Sequence, residues 1–112
     1  MTKTSKITID VTTNENNVPE SINWSAEDGG VENLAAKAMI LSLWDKKDQN
    51  AMRIDLWDKE MTVEEMKQFF HQTLLTMADS FERATGEKNI TEDLRDYCLH
   101  FADKMGIKSP FG

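Results

Sequence analysis

The sequence predicts an α+β domain: a four-stranded antiparallel sheet from two hairpins, with two C-terminal amphipathic helices packed on one face of it. Three observations predict it. The N-terminal half alternates polar and apolar residues with a period of two, the C-terminal half repeats apolar residues at helical spacing, and short clusters of turn-forming residues separate the segments. With 112 residues the chain has room for one domain and one core, and at this size no metal or disulfide staple is required. Residues 1–112 are therefore read as a single domain, with 1–4 and 109–112 as flexible ends.

Residues 5–12 place Ile7, Ile9 and Val11 on one face and Lys6, Thr8, Asp10 and Thr12 on the other, the pattern of a half-buried strand. Asn14, Glu15, Asn16 and Asn17 then turn the chain. In the next strand Val18, Ile22 and Trp24 recur at even positions, and Pro19 stands at its start, where a missing backbone donor is tolerated. These two strands form the first hairpin.

Asp28, Gly29 and Gly30 break the pattern, and two periods compete over residues 31–47. Leu34, Ala35, Ala36, Lys37, Ala38 and Met39 are good helix formers. Against a helix stands the pairing of this segment with residues 51–58 around the polar turn Asp45 to Asn50. If Leu43 faces Met52, then Leu41 faces Ile54 and Met39 faces Leu56, so three apolar pairs share one face in a single register. A strand over about 37–45 satisfies this, with a short helical turn before it left open.

Thr62 with Glu65 three residues later is a capping box, and Val63, Met66, Phe70, Leu74, Met77 and Phe81 follow at helical spacing up to Gly86. A second helix begins near Asn89 to Thr91 and stops at Gly106. It carries Ile90, Leu94, Tyr97, Phe101 and Met105 on one stripe.

Thirteen Lys and Arg against twenty Asp and Glu give a net charge of −7, which repels phosphate backbones and anionic lipid alike. Nucleic acid and membrane surfaces are thus poor partners. The acidic residues are spread along the chain, as on a solvated surface. Met1 to Val11 holds no continuous apolar segment, so it reads as neither signal peptide nor anchor, and the longest mostly apolar run, 38–44, is far short of the ~20 residues that span a bilayer. The expected location is the cytoplasm.

Catalysis needs a nucleophile, or an acid and a base, within reach of one another, and the inventory is thin. His71 and His100 each fall inside a predicted helix, His71 beside the apolar stripe, where packing or surface roles are commoner than general-base roles. Cys98, the one cysteine, lies on or near the stripe of the second helix and reads as a small buried hydrophobe. The turn Asp45-Lys-Lys-Asp-Gln-Asn lacks the Gly and the terminal Glu of a calcium loop. Gly29-Gly30 lacks the spacing of a phosphate-binding loop. No enzyme, cofactor or metal is expected.

One feature survives this filter. Leu-Trp-Asp-Lys occurs twice, at 43–46 and 56–59, and in the register above Trp44 and Trp57 lie opposite the Leu and Met pairs, with Ala38, Ile40, Ala51, Arg53 and Asp55. Exposed tryptophan beside arginine is the composition of a protein-binding hot spot, so Ile40, Trp44, Arg53, Asp55 and Trp57 are the candidate partner-binding residues. The competing reading covers these tryptophans with the N-terminal hairpin or the segment around Leu34.

Three strings then resemble the GldC family of gliding Bacteroidetes: Asn23-Trp-Ser-Ala-Glu-Asp-Gly-Gly-Val-Glu-Asn, Arg53-Ile-Asp-Leu-Trp-Asp-Lys-Glu-Met, and Glu65-Met-Lys-Gln-Phe-Phe-His-Gln-Thr-Leu. Met77 to Thr85 continues the likeness. The resemblance implies a small protein without a signal sequence, an accessory to the machinery that moves and secretes surface adhesins. It supplies no catalytic residue. The expected function is therefore non-enzymatic protein–protein interaction, with a partner in the motility or secretion machinery or with a second copy as a homodimer. The alternative is a small-ligand or carrier module whose pocket lies between sheet and helices, lined by Trp24, Met39, Phe70 and Met77.

Overall fold

The computed structural model describes residues 2–107; the tail expected at 109–112 and Met1 lie outside that range. The element order is β1 (Ile7–Thr13), β2 (Pro19–Ala26), β3 (Val31–Ala36), β4 (Ala38–Trp44), β5 (Ala51–Trp57), α1 (Val63–Thr85) and α2 (Lys88–Met105). The chain divides into two compact units, Met1–Met61 and Thr62–Gly112.

The α+β class holds, but the single four-stranded sheet does not. The strand unit contains five strands in two sheets, one of order β1-β2-β3 and one of order β4-β5. The additional strand is β3, where the sequence left a helical turn open. Its period is hidden by a bulge: Leu34 pairs with Trp24 and Val31 with Ala26, so three steps on β3 match two on β2. Asn33 absorbs the extra residue at φ 51°, a left-handed conformation that Asn tolerates better than most residues. Val31 and Leu34 consequently share a face at a spacing of three, which reads as helical in sequence.

The first hairpin forms as expected. Val11 pairs with Ile22 and Ile9 with Trp24, and the Asn14 side chain accepts from the amides of Asn16 and Val18 at 2.8 and 3.1 Å, an Asx turn. Ile22 sits at the middle of the three strands, between Val11 and Ala36, and is 2% exposed. Near the chain start Lys3 pairs with Asp28 at 3.1 Å. The Ser5 hydroxyl bonds to the same carboxylate, and these two partners hold the Asp28 pKa below its ordinary value.

β3 and β4 run almost continuously, separated by a bend at Lys37. The Lys37 carbonyl accepts from the Asp58 amide at 2.8 Å, which extends the β4–β5 ladder by one rung past its last strand pair.

In the helical unit the capping box is present. Thr62 accepts from the Glu65 amide at 3.1 Å, and the Glu65 carboxylate accepts from the Thr62 amide at 3.0 Å. Gly86 and Gly106 end the two helices at φ 72° and 67°, the left-handed cap that glycine adopts without a Cβ penalty. Across the helices Arg95 reaches Asp79 at 2.9 Å and Glu82 at 3.1 Å. His71 stacks on Phe101 with ring centroids 6.1 Å apart.

The stripes that are buried differ from the stripes expected. On α1 the buried residues are His71 and Ala78, while Val63, Phe70, Met77 and Phe81 are exposed. On α2 they are Thr91, Cys98 and Ala102, while Ile90 and Tyr97 are exposed. The buried positions thus lie about one position from the large apolar residues, and apart from His71 they carry small side chains. Small residues let two helix backbones approach closely.

Candidate functional site

The β4–β5 hairpin carries the candidate residues, and its register is the one the apolar pairs demanded: Leu43 opposite Met52, Leu41 opposite Ile54, Met39 opposite Leu56. A polar loop joins the strands. The Asp45 amide donates to the Asn50 carbonyl at 2.8 Å and the Gln49 amide to the Asp45 carbonyl at 3.0 Å. Gln49 takes the left-handed conformation at φ 54°. The Asp45 carboxylate accepts from the Asp48 amide at 2.6 Å, so this carboxylate closes the turn.

Side chains alternate across a strand, so the other face of the hairpin carries the pairs Ala38–Trp57, Ile40–Asp55, Ser42–Arg53 and Trp44–Ala51. The structure brings all five candidate residues to this one face. The tryptophans stand at diagonal corners, six residues or roughly 20 Å apart at strand spacing, with Ile40, Arg53 and Asp55 between. Trp44 is 70% exposed and Trp57 54%, so neither the N-terminal hairpin nor the Leu34 segment buries them. Arg53 Nε lies 3.2 Å from the Asp55 carboxylate. Both are well exposed, and a pair of this kind adds little to stability.

The opposite face was expected to be core. Leu43, Met52 and Ile54 are instead each more than half exposed. Together with Leu41 and Trp44 they line an open recess of about 720 Å³ at the loop end of the hairpin. At the other end Trp57 and Leu56 line one of about 280 Å³ with Asn17, Val18 and Pro19. Apolar surface therefore lies on both faces of a two-stranded sheet. The sequence held a signal for this, since neither face of 38–44 and 51–57 has more than one residue of each charge, but burial of the Leu–Met face was the simpler assumption.

Of the four residues suggested for a ligand pocket, the structure groups two. Trp24 and Met39 line an apolar recess of about 180 Å³ with Ile7, Ile9, Ile22, Ala36 and Ala38. That is below the several hundred Å³ usual for small-molecule sites. Phe70 and Met77 are exposed positions of α1.

The groups with chemical potential lie on the two helices. His71 is buried in the helical seam, His100 is exposed on α2, and Cys98 is fully buried. Burial pushes the Cys98 pKa up, so at neutral pH it is a protonated thiol, the unreactive form. In the folded protein Cys98 is expected to react with a disulfide reagent such as DTNB at least about tenfold more slowly than in urea; equal rates would show that the seam is open. Among the described residues no three His, Cys, Asp or Glu side chains converge to hold a metal ion. No helix among them is long and apolar enough to cross a membrane.

Comparison with known families adds the decisive observation: residues 19–107 match the family described as gliding motility-associated protein GldC-like. The chain belongs to the GldC-like family. The matched region begins at the first residue of β2 and runs through α2, so it contains the whole β4–β5 hairpin and both helices of this GldC-like chain. No curated protein and no solved structure matches it.

Proposed function

We propose that this GldC-like chain is a non-enzymatic accessory protein of gliding motility that stays in the cytoplasm and acts by contact with a protein of the motility or secretion machinery. The contact is the β4–β5 hairpin. One observation carries the reading: two tryptophans, 70% and 54% exposed, flank Arg53 and Asp55 on one face of a sheet that has two strands among the described residues. Large exposed aromatics beside an arginine are what a partner buries as a hot spot, and a monomer gains nothing from leaving them in water. The net charge of −7 turns the surface away from nucleic acid and anionic lipid. The burial of His71 and Cys98 within the helical unit supports binding over catalysis.

The test is the double variant Trp44→Ser and Trp57→Ser. Its circular dichroism and unfolding midpoint should match the parent to within about 0.5 kcal/mol, as for exposed substitutions generally, while association with the partner recovered by the parent protein is lost. Unfolding of the variant would mean that the tryptophans are core. Undiminished association in a folded variant would place the contact elsewhere.

A further inference from the structure

We infer that the hairpin also joins two copies of this chain, by antiparallel pairing of β5 with β5 of a second copy about a twofold axis at Ile54. The inference rests on the reading of the hairpin as a protein contact and adds the partner, the strand edge and the register.

Among the described residues no strand pairs with the outer edge of β5, where the second sheet ends. Natural edge strands are normally blunted by proline, lysine, a bulge or short length. β5 has seven residues, Ala-Met-Arg-Ile-Asp-Leu-Trp, no proline and no lysine; its two charges, Arg53 and Asp55, are of opposite sign, and its register against β4 is unbroken. A lone two-stranded hairpin is marginal in water, whereas four strands with an apolar face are not.

The backbone fixes which residues can bond outward. The Asp45 amide donates to the Asn50 carbonyl and the Asp58 amide to the Lys37 carbonyl. Hydrogen-bonded pairs alternate along an antiparallel ladder, so Met52, Ile54 and Leu56 turn their amides and carbonyls toward β4. Ala51, Arg53, Asp55 and Trp57 turn theirs outward.

A twofold antiparallel pairing must match outward residues with outward residues, which leaves few registers. Centred on Arg53 it sets Arg53 against Arg53 of the second copy, and centred on Asp55 it sets carboxylate against carboxylate. Like charges directly opposite one another are destabilising. Centred on Ile54, Arg53 faces Asp55 twice, Met52 faces Leu56 twice and Ala51 faces Trp57 twice. Every charge meets its opposite and every apolar residue meets another. The outer edge of β4 has no charged residue and so nothing comparable to select a register. The product is a four-stranded sheet of order β4-β5-β5-β4 in which both faces are continuous across the copies.

Sedimentation equilibrium of the purified full chain, with two sets of variants, tests the pairing. The parent should dimerise, and Arg53→Asp should raise the dimer dissociation constant about tenfold or more, because two attractive pairs become repulsive. The exchange Arg53→Asp with Asp55→Arg should restore it. Independently, Ile54→Cys should form an intermolecular disulfide on oxidation by diamide, since non-hydrogen-bonded partners stand about 4.5 Å apart between Cα atoms, within disulfide reach. Met52→Cys should not. The native Cys98 is buried and does not compete.

A parent that stays monomeric overturns the pairing, as does a dimer that tolerates Arg53→Asp, or one crosslinked by Leu41→Cys rather than Ile54→Cys. If Arg53→Asp fails to fold, the cysteine result decides. A monomer whose partner is still lost on changing Trp44 and Trp57 would overturn the pairing alone. A dimer of the stated register whose partner is retained in that variant would overturn the proposed contact alone.

Discussion

Ile22→Ala is expected to cost about 3 kcal/mol of stability, within the ~2–5 kcal/mol found for truncating a buried isoleucine. Ile22 is the most enclosed large side chain of the strand unit at 2% exposure, and on the central strand of the first sheet it is paired on both sides, with Val11 and Ala36. Removing three carbons there forfeits their transfer from water and leaves a void that only partly collapses, beside a recess that already exists. In a chain whose whole stability is on the order of 5–15 kcal/mol, the midpoint of urea unfolding should fall markedly. Ile7→Ala is the matching control, because Ile7 is largely exposed and its truncation should cost well under about 1 kcal/mol. Equal losses at the two positions would show that the centre of the first sheet is not the core.

Ala78→Leu should be strongly destabilising in the helical unit. The cross-helix contacts His71–Phe101 and Glu82–Arg95 bracket Ala78 and put it level with Cys98, and both are fully buried. Leucine and alanine are both strong helix formers, so the substitution tests packing and not propensity. Three added carbons in a closed seam force the helices apart or the side chains off their rotamers, at about 1–3 kcal/mol. Cys98→Ala in the same chain should return part of the loss, since buried sites that share one packed seam couple. A thermal melt unchanged by Ala78→Leu would contradict the seam.

The local structure that was legible in the sequence came from chemistry a few residues apart. Thr62 and Glu65 announce a helix start because each satisfies a backbone amide the helix leaves free. Gly86 and Gly106 announce the ends. The β4–β5 register was legible because Leu43–Met52, Leu41–Ile54 and Met39–Leu56 agree in one alignment, and a slip by one residue would have reversed every side chain. That register set all five candidate residues on one face.

What was not legible depended on exceptions to period or on what covers a surface. β3 was hidden because the bulge at Asn33 turns a period of two into a spacing of three. With it hidden, the chain seemed to have one sheet of four strands, not sheets of three and two. Of the helical seams the sequence marked Cys98, a small hydrophobe that the structure buries, but not Ala78, Thr91 and Ala102, which are too small or too polar to stand out beside Phe70, Met77 and Tyr97. Apolar character marks residues that benefit from burial without naming what buries them. The exposure of Trp44 and Trp57, and of Leu43, Met52 and Ile54 behind them, was for the same reason visible only in three dimensions.

The central claim is that this GldC-like chain works through contact at the β4–β5 hairpin. Site-specific photo-crosslinking tests it most directly, with a photoreactive residue placed in the intact protein at position 44 and, separately, at position 92, an exposed position of α2. The account predicts a covalent adduct to a second polypeptide from position 44 and little or none from position 92. Adducts from position 92 without any from position 44 would contradict it.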